Sequence, residues 1–334
     1  MAGRLREELT YLAYRAVAAA AAAAPASVAI RTGEVAGVAV GRLSTGRRAA
    51  VAGNLAVVTG LPANGVPGAS LVDAAFASYG RYWAQSFRLS VMDARKLGSV
   101  MDAEGLDNLR SALSLGRGAI LALPHLGDWD TGAAWLATQG IRTTVVAEAL
   151  RPERLYRWFC RERERRGMTV VAAGAGAVPA LTAALRRSEV VGLVSDRDLG
   201  GRGVPVRFFG CTTALPGGPA VLSLRCGAPI VPASVYQSGG DRFRSVMLPR
   251  LEAPTSGSLA FRTEALTKEL AASFERLIAA APEQWHMLSS KWRSAGHTAA
   301  GAPSAARRGD GDDGSATGTR AEGSTPVSRP ADDT

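Results

Sequence analysis

Cysteine is scarce: Cys160, Cys211 and Cys226 are the three in 334 residues, with no Cys-x-x-Cys pair and no histidine at metal-ligand spacing. A disulfide scaffold and a structural zinc site are therefore not expected, and the usage points to a reducing compartment. Lysine is as rare, at Lys96, Lys268 and Lys291, so the basic balance of 39 Lys+Arg against 29 Asp+Glu rests almost wholly on arginine. A GC-rich coding bias would give the same preference. Long apolar runs are missing too. Residues 16–30, the longest uncharged stretch near the N-terminus, are mostly alanine and contain Pro25, short of the roughly 20 residues that span a bilayer. Glu7 and Glu8 precede them, and alanine makes a weak signal-peptide core. Aromatic residues make up 6%, few for a surface that interleaves cations with stacking rings, so nucleic acid is not an expected partner. No Gly-x-Ser-x-Gly elbow follows a β-rich run, which argues against a serine hydrolase of that type. The expectation is a soluble or interface-associated cytoplasmic protein.

What is present is ordinary globular usage, 47% apolar and 20% charged, with a net charge of +10. Such a surface favours polyanions such as anionic lipid or a phosphate-rich ligand. Residues 295–334 hold one large aliphatic side chain, Val327, and cannot bury enough apolar surface to offset their ordering entropy, so they read as a disordered tail. The tail is net −2, which leaves +12 on the rest. Before it, short continuous apolar runs at 119–123, 143–147, 169–172, 190–194 and 230–235 read as buried strands. Helical lengths separate them at 128–139, 152–167 and 178–187, and 242–248 reads as a later, more exposed strand. A final helix over 262–280 lines up Leu266, Leu270, Phe274, Leu277 and Ile278 on one face. The alternation predicts an α/β fold, a central mixed sheet flanked by helices, with an alanine-rich helical region over the first hundred residues.

Ligands of open α/β sheets gather beyond the carboxyl ends of the strands. The 119–123 strand runs into Pro124-His125-Leu126-Gly127-Asp128-Trp129-Asp130, and the 190–194 strand into Ser195-Asp196-Arg197-Asp198. An imidazole at such an edge, with a pKa near 6.5, suits proton abstraction from an alcohol. The plainer alternative is a histidine that only bonds its own turn. If both strands share a sheet, Asp196 emerges beside His125 and can fix its tautomer. Asp130 is the other contender, but positions five apart on a helix diverge by about 140°, so it reaches His125 only if the histidine precedes the helix. Asp128 reads as a helix cap. Backbone N–H groups of Leu126 to Asp128 are candidate oxyanion donors. Arg154, Arg157, Arg161 and Arg165 form a basic stripe on the 152–167 helix, with Arg163 and Arg166 beside it. It is either a phosphate-binding or anionic-lipid face, or an ordinary solvated one. Phe208-Phe209-Gly210 and the helix start at Gly218 read as a loop and turn lining the site, and His286 as structural.

His125 and Asp130 in LPHLGDWD make a His-x-x-x-x-Asp pattern, and with VAEALRPERLYRWF (146–159), SDRDLGGRGVPVRFFG (195–210), LPGGPAVLS (215–223) and PEQWHML (282–288) the chain resembles the lipid A biosynthesis branch of glycerolipid-type acyltransferases. Within that branch it is most similar to the enzymes acting on phosphatidylinositol mannosides. The resemblance covers roughly residues 50–293 and implies a glycerolipid acyltransferase-like fold. It implies transfer of a fatty acyl group from acyl-CoA, a co-substrate and not a bound cofactor, to a mannose hydroxyl of a glycolipid acceptor. The setting it implies is peripheral, on the anionic surface of the cytoplasmic face of the plasma membrane. By the same resemblance His125 is the general base, a carboxylate of the 195–198 block is its partner, and Arg163 matches an arginine of the active-site groove. That block carries Asp196 where the family pattern has Glu, one methylene longer. Either Asp196 or Asp130 is left to orient His125, and Arg163, Arg197, Phe208 and Gly218 are the substrate-binding candidates. The resulting division is an N-terminal helical, membrane-interface segment (1–50), an acyltransferase domain (51–294) and the tail (295–334). A related acyltransferase acting on another glycolipid, or a non-enzymatic basic membrane-binding protein, are the alternatives.

Overall fold

The computed structural model describes residues 2–61, 68–149, 151–198 and 200–292; the expected tail lies outside them. The β-branched and aliphatic runs form strands as expected: β2 is Ala119–Leu123, β3 Thr143–Ala147, β4 Met168–Ala172, β5 Val190–Val194, β8 Ile230–Gln237 and β9 Phe243–Met247. A short β1 at Met101–Glu104 pairs with β9, giving a seven-stranded sheet in the order β1-β9-β8-β2-β5-β3-β4. The five strands β8, β2, β5, β3 and β4 are parallel, and β9 enters antiparallel to β8. The sheet is mixed, with its antiparallel strands at one edge.

The connections cover both faces. Helix α7 (Trp129–Thr138) packs Trp135 and Leu136 against Leu121 and Leu123 of β2. Helices α9 (Ala177–Arg186), α10 (Gly218–Cys226) and α11 (Leu259–Ala279) cover the opposite face, where Leu181, Leu185, Leu222 and Leu270 meet Ile120, Ala122 and Val191. Alternate residues of one strand thus enter two separate cores, as the two-residue period demands. The β2 connection runs to one face and the β5 connection to the other, so the gap between these two strands is a topological switch point.

Four long helices precede the sheet: α1 (Ala2–Ala23), α2 (Ala26–Leu43), α3 (Thr45–Val58) and α4 (Ala69–Arg88). The segment boundary expected at residue 50 falls inside α3. Helix α2 crosses α4 with almost no separation, because a Cβ on Gly80 would lie 2.0 Å from the Gly33 carbonyl oxygen. Only paired glycines permit that approach. A hairpin of β6 (Val204–Phe208) and β7 (Cys211–Leu215) stands where the sequence suggested a loop. Phe209 and Gly210 form its two-residue turn with φ of 50° and 74°, the left-handed pair that matches strand twist. The apolar Phe208-Phe209 step conceals a turn normally marked by Asn-Gly or Asp-Gly.

Candidate active site

Leu123 and Val194 are registered partners at the carboxyl ends of β2 and β5. His125 and Asp196 each stand two residues further on, so the register delivers both side chains to one edge. The loop between β2 and α7 is held rigidly. Gly127 (φ +66°) passes so close to β8 that a Cβ would sit 1.9 Å from the Val235 carbonyl oxygen. The Gly127 N–H donates to the Gln284 carbonyl (3.0 Å) and the Asp128 N–H to the Val235 carbonyl (2.7 Å). Leu126 N–H donates to Pro124. All three amides are engaged, which removes them as the oxyanion donors the sequence suggested.

Asp196 is fully buried and ionised. One carboxylate oxygen bonds His125 Nδ1; the other accepts from the His125 backbone N–H (3.0 Å) and the Trp285 indole N–H (2.8 Å). Burial opposes the charge, but the His125 imidazole and these donors outweigh it and hold the carboxyl down at about 2. An ionised acceptor at Nδ1 puts the proton of a neutral imidazole on that nitrogen and leaves the Nε2 lone pair free. The His125 side chain is 22% exposed and borders a cavity of about 710 Å³. Lys291 secures the Asp196 backbone from behind, donating to the carbonyls of Asp196 and Ala214 at 2.8 Å each.

Asp130 is not the partner of His125. It lies in the first turn of α7, where its two oxygens take a forked bond from Arg163 Nε and Nη2 (2.8 and 3.0 Å) and a third from the Tyr82 hydroxyl (2.9 Å). The negative charge of Asp130 raises the Arg163 pKa and fixes its guanidinium. Arg163 therefore turns inward from α8 (Glu153–Glu164) to the cavity, while the stripe beside it faces outward and is mostly paired: Arg154 with Glu8, Arg157 with Glu153 and Arg165 with Glu162. Asp128 caps α7 through the Thr131 N–H (2.9 Å). Its other oxygen is buried without a partner, and burial raises its pKa to about 7.

His125, Asp130, Arg163 and Arg197 all border the 710 Å³ cavity; Arg197 has no carboxylate partner among the described residues. Leu121, Leu136, Val145, Ala233 and Met247 give the cavity wall much of its apolar surface. Phe208 is placed elsewhere: fully buried at the end of β6, it packs on Trp285 and Trp292. Gly218, at the start of α10, borders a different cavity. Neither reaches the His125 cavity, because the β6–β7 hairpin carries this block to the opposite face of the sheet.

Sequence reasoning missed Tyr82, Trp285 and Lys291. Tyr82 comes from the N-terminal helices, over 40 positions from its partner Asp130, and no local pattern marks it. His286, expected to be structural, is buried and also borders the His125 cavity. Its backbone N–H donates to the His125 carbonyl (2.7 Å), and Ser78 Oγ meets its Nε2 at 3.1 Å. Burial, with a smaller effect from His125, lowers its pKa to about 3 and keeps it neutral.

The family model for bacterial lipid A biosynthesis acyltransferases matches residues 4–294. A phosphatidylinositol mannoside acyltransferase of Mycolicibacterium smegmatis is 41% identical over 242 residues, covering 72% of this chain and 77% of its own length. Enzymes of the same name from two strains of Mycobacterium tuberculosis are each 43% identical over 245 residues, with 72% and 75% covered. The match runs through the N-terminal helices as well as the sheet, and the chain belongs to the bacterial lipid A biosynthesis acyltransferase family and is an acyltransferase.

Proposed function

We propose that the protein transfers a fatty acyl group from acyl-CoA to a mannose hydroxyl of a phosphatidylinositol mannoside, with His125 as general base and Asp196 as its orienting carboxylate. One observation carries the reading: a histidine whose Nδ1 is held by a buried carboxylate borders a cavity lined by Arg163, Arg197 and many apolar side chains. The acceptor hydroxyl attacks the thioester carbonyl while its proton passes to His125 Nε2. The new C–O bond forms, the tetrahedral intermediate collapses, and the C–S bond breaks. The imidazolium returns the proton to the departing sulfur, giving the ester and free CoA thiol. Asp196 stays ionised and offsets the imidazolium charge. Arg197 is the unpaired cation nearest in sequence to this pair and serves the developing oxyanion or the CoA phosphates. The apolar interior takes the acyl chain, and no cofactor enters the chemistry.

The same reading places the protein on the anionic cytoplasmic face of the plasma membrane. Leu5, Leu9 and Leu12 lie at helical spacing along α1 and are each more than half exposed. An amphipathic helix of this kind rests in the bilayer interface. Among the described residues no helix is long and apolar enough to cross it.

The test is acyl transfer from labelled palmitoyl-CoA to purified phosphatidylinositol mannosides, wild type against His125→Ala. Loss of transfer by about three decades, with liposome binding retained, is expected. Unaltered transfer overturns the general-base role, and transfer only to other glycolipids overturns the acceptor.

A further inference from the structure

A second cavity, of about 740 Å³, opens on the face of the sheet opposite the one that α7 covers, between α9 and α10. Its size falls within the roughly 300–1,000 Å³ of small-molecule sites. The walls are mostly apolar, with Leu181, Leu185, Val221 and Leu222 among the lining side chains. Three arginines also border it: Arg117 before β2, Arg186 in the last turn of α9 and Arg225 in the last turn of α10. All three are exposed, so they stand at its rim. None has a carboxylate partner among the described residues, whereas Arg187 close by is paired with Glu189. Among the described residues no acidic side chain borders the cavity. An apolar slot under three uncompensated guanidinium groups is complementary to one chemistry, a hydrocarbon chain ending in an anion.

We propose that this cavity, which shares Leu193 and Val194 of β5 with the His125 cavity and no other lining residue, is a second lipid site that takes a single-chain amphiphile with an anionic headgroup. The chain lies between α9 and α10, and the headgroup meets Arg117, Arg186 and Arg225. Its occupancy is read without turnover, so the outcome of the test does not depend on the reaction proposed above.

Cys226 supplies the reporter, since it borders the cavity with its sulfur 3.9 Å from Thr182 Oγ1. In a Cys160→Ser, Cys211→Ser background it is the remaining cysteine of the chain. Its alkylation by a small maleimide is followed with dodecyl phosphate held below its micellar concentration. Dodecyl phosphate is expected to slow alkylation about tenfold or more, and dodecyl maltoside, of equal chain length and no charge, to have little effect. Replacing the rim with Arg117→Gln, Arg186→Gln and Arg225→Gln, all exposed positions, is expected to weaken the protection at least about tenfold. The proposal is overturned if dodecyl phosphate gives no protection, if dodecyl maltoside protects equally, or if the glutamine variant is protected like the parent.

Discussion

Replacing Asp196 with asparagine tests how the site sets the base. Three donors converge on two carboxylate oxygens: His125 Nδ1 on one, the His125 backbone N–H and the Trp285 indole on the other. An asparagine has one acceptor oxygen. If that oxygen faces His125 Nδ1, its amide group opposes two buried donors, each unmet donor costing about 1–3 kcal/mol. The side chain therefore keeps its oxygen toward the backbone and indole and turns its NH2 toward Nδ1. The imidazole must then accept there and carry its proton on Nε2, the nitrogen that faces the cavity. A base protonated at the attacking edge is inactive, and in the serine-protease precedent for this substitution kcat falls by about four decades. We expect Asp196→Asn to lower kcat about a thousandfold, roughly 4 kcal/mol at the transition state, with KM for palmitoyl-CoA changed little. Asp130→Asn keeps the Tyr82 bond and one arm of Arg163, so its loss should stay within about tenfold and fall on KM. Steady-state acyl transfer at pH 7.5 separates the two. Retention of more than about a tenth of wild-type kcat by Asp196→Asn, or a larger loss in Asp130→Asn, refutes the argument.

Gly192 of β5 borders the His125 cavity, and a Cβ there would lie 3.3 Å from Val145 Cγ1. Gly192→Val suits a strand and narrows the cavity, so donor preference should move from palmitoyl-CoA toward shorter chains; an unchanged chain-length profile separates this cavity from the acyl chain. Two buried groups oppose each other in acid. His286, lowered to about 3, gives stability that is full above its unfolded value near 6.5 and is lost as pH falls toward 3. Asp128, raised to about 7, gives stability that is full below its unfolded value near 4 and is lost as pH rises through 7. Between about pH 4 and 6.5 the two slopes cancel. Asp128→Asn retains the Thr131 cap and should leave the His286 slope bare, up to about 1.4 kcal/mol per pH unit, visible in urea melts from pH 4.5 to 6.5; a flat profile in that variant contradicts the assignment. Gly80→Ala drives a methyl into the Gly33 backbone and should destabilise by about 1–3 kcal/mol, read as a lower Tm. An unchanged Tm means that the α2–α4 crossing can open without loss.

Strands of the parallel core were legible because each is a continuous aliphatic run, and their ends marked where the chemistry sits. Pairing His125 with Asp196 needed only that β2 and β5 share a sheet; their adjacency and register came from topology, which local sequence does not encode. The rest of the site was hidden for physical reasons. Trp285 and Lys291 approach Asp196 from 89 and 95 positions away in sequence. Tyr82 lies in a helix whose aromatic residues are indistinguishable in pattern from a core face. The oxyanion donors proposed at the start of α7 failed because a local turn bond to Pro124 and two long-range backbone bonds, to Gln284 and Val235, claim them. Helix position alone cannot reveal such competition. The Phe208 block was misplaced since its turn lacks the polar residues that announce a hairpin.

Asp196 stands where the resemblance implies a glutamate, one methylene longer, which raises the question of reach. The answer lies in what else the carboxylate holds. Its second oxygen accepts the backbone N–H of His125 itself, so the segment bearing the base is drawn onto the acid. The Gly127 approach to β8 and the His125 carbonyl bond from His286 fix that segment from the other side. The Trp285 indole N–H donates to that same carboxylate oxygen at 2.8 Å and holds the short side chain in place. The partnership is thus set by backbone placement, with only two torsions in the acid left to lock. Stiffness of this kind favours one tautomer of the neutral His125, and a fixed tautomer is what the proposed base needs before an alcohol arrives.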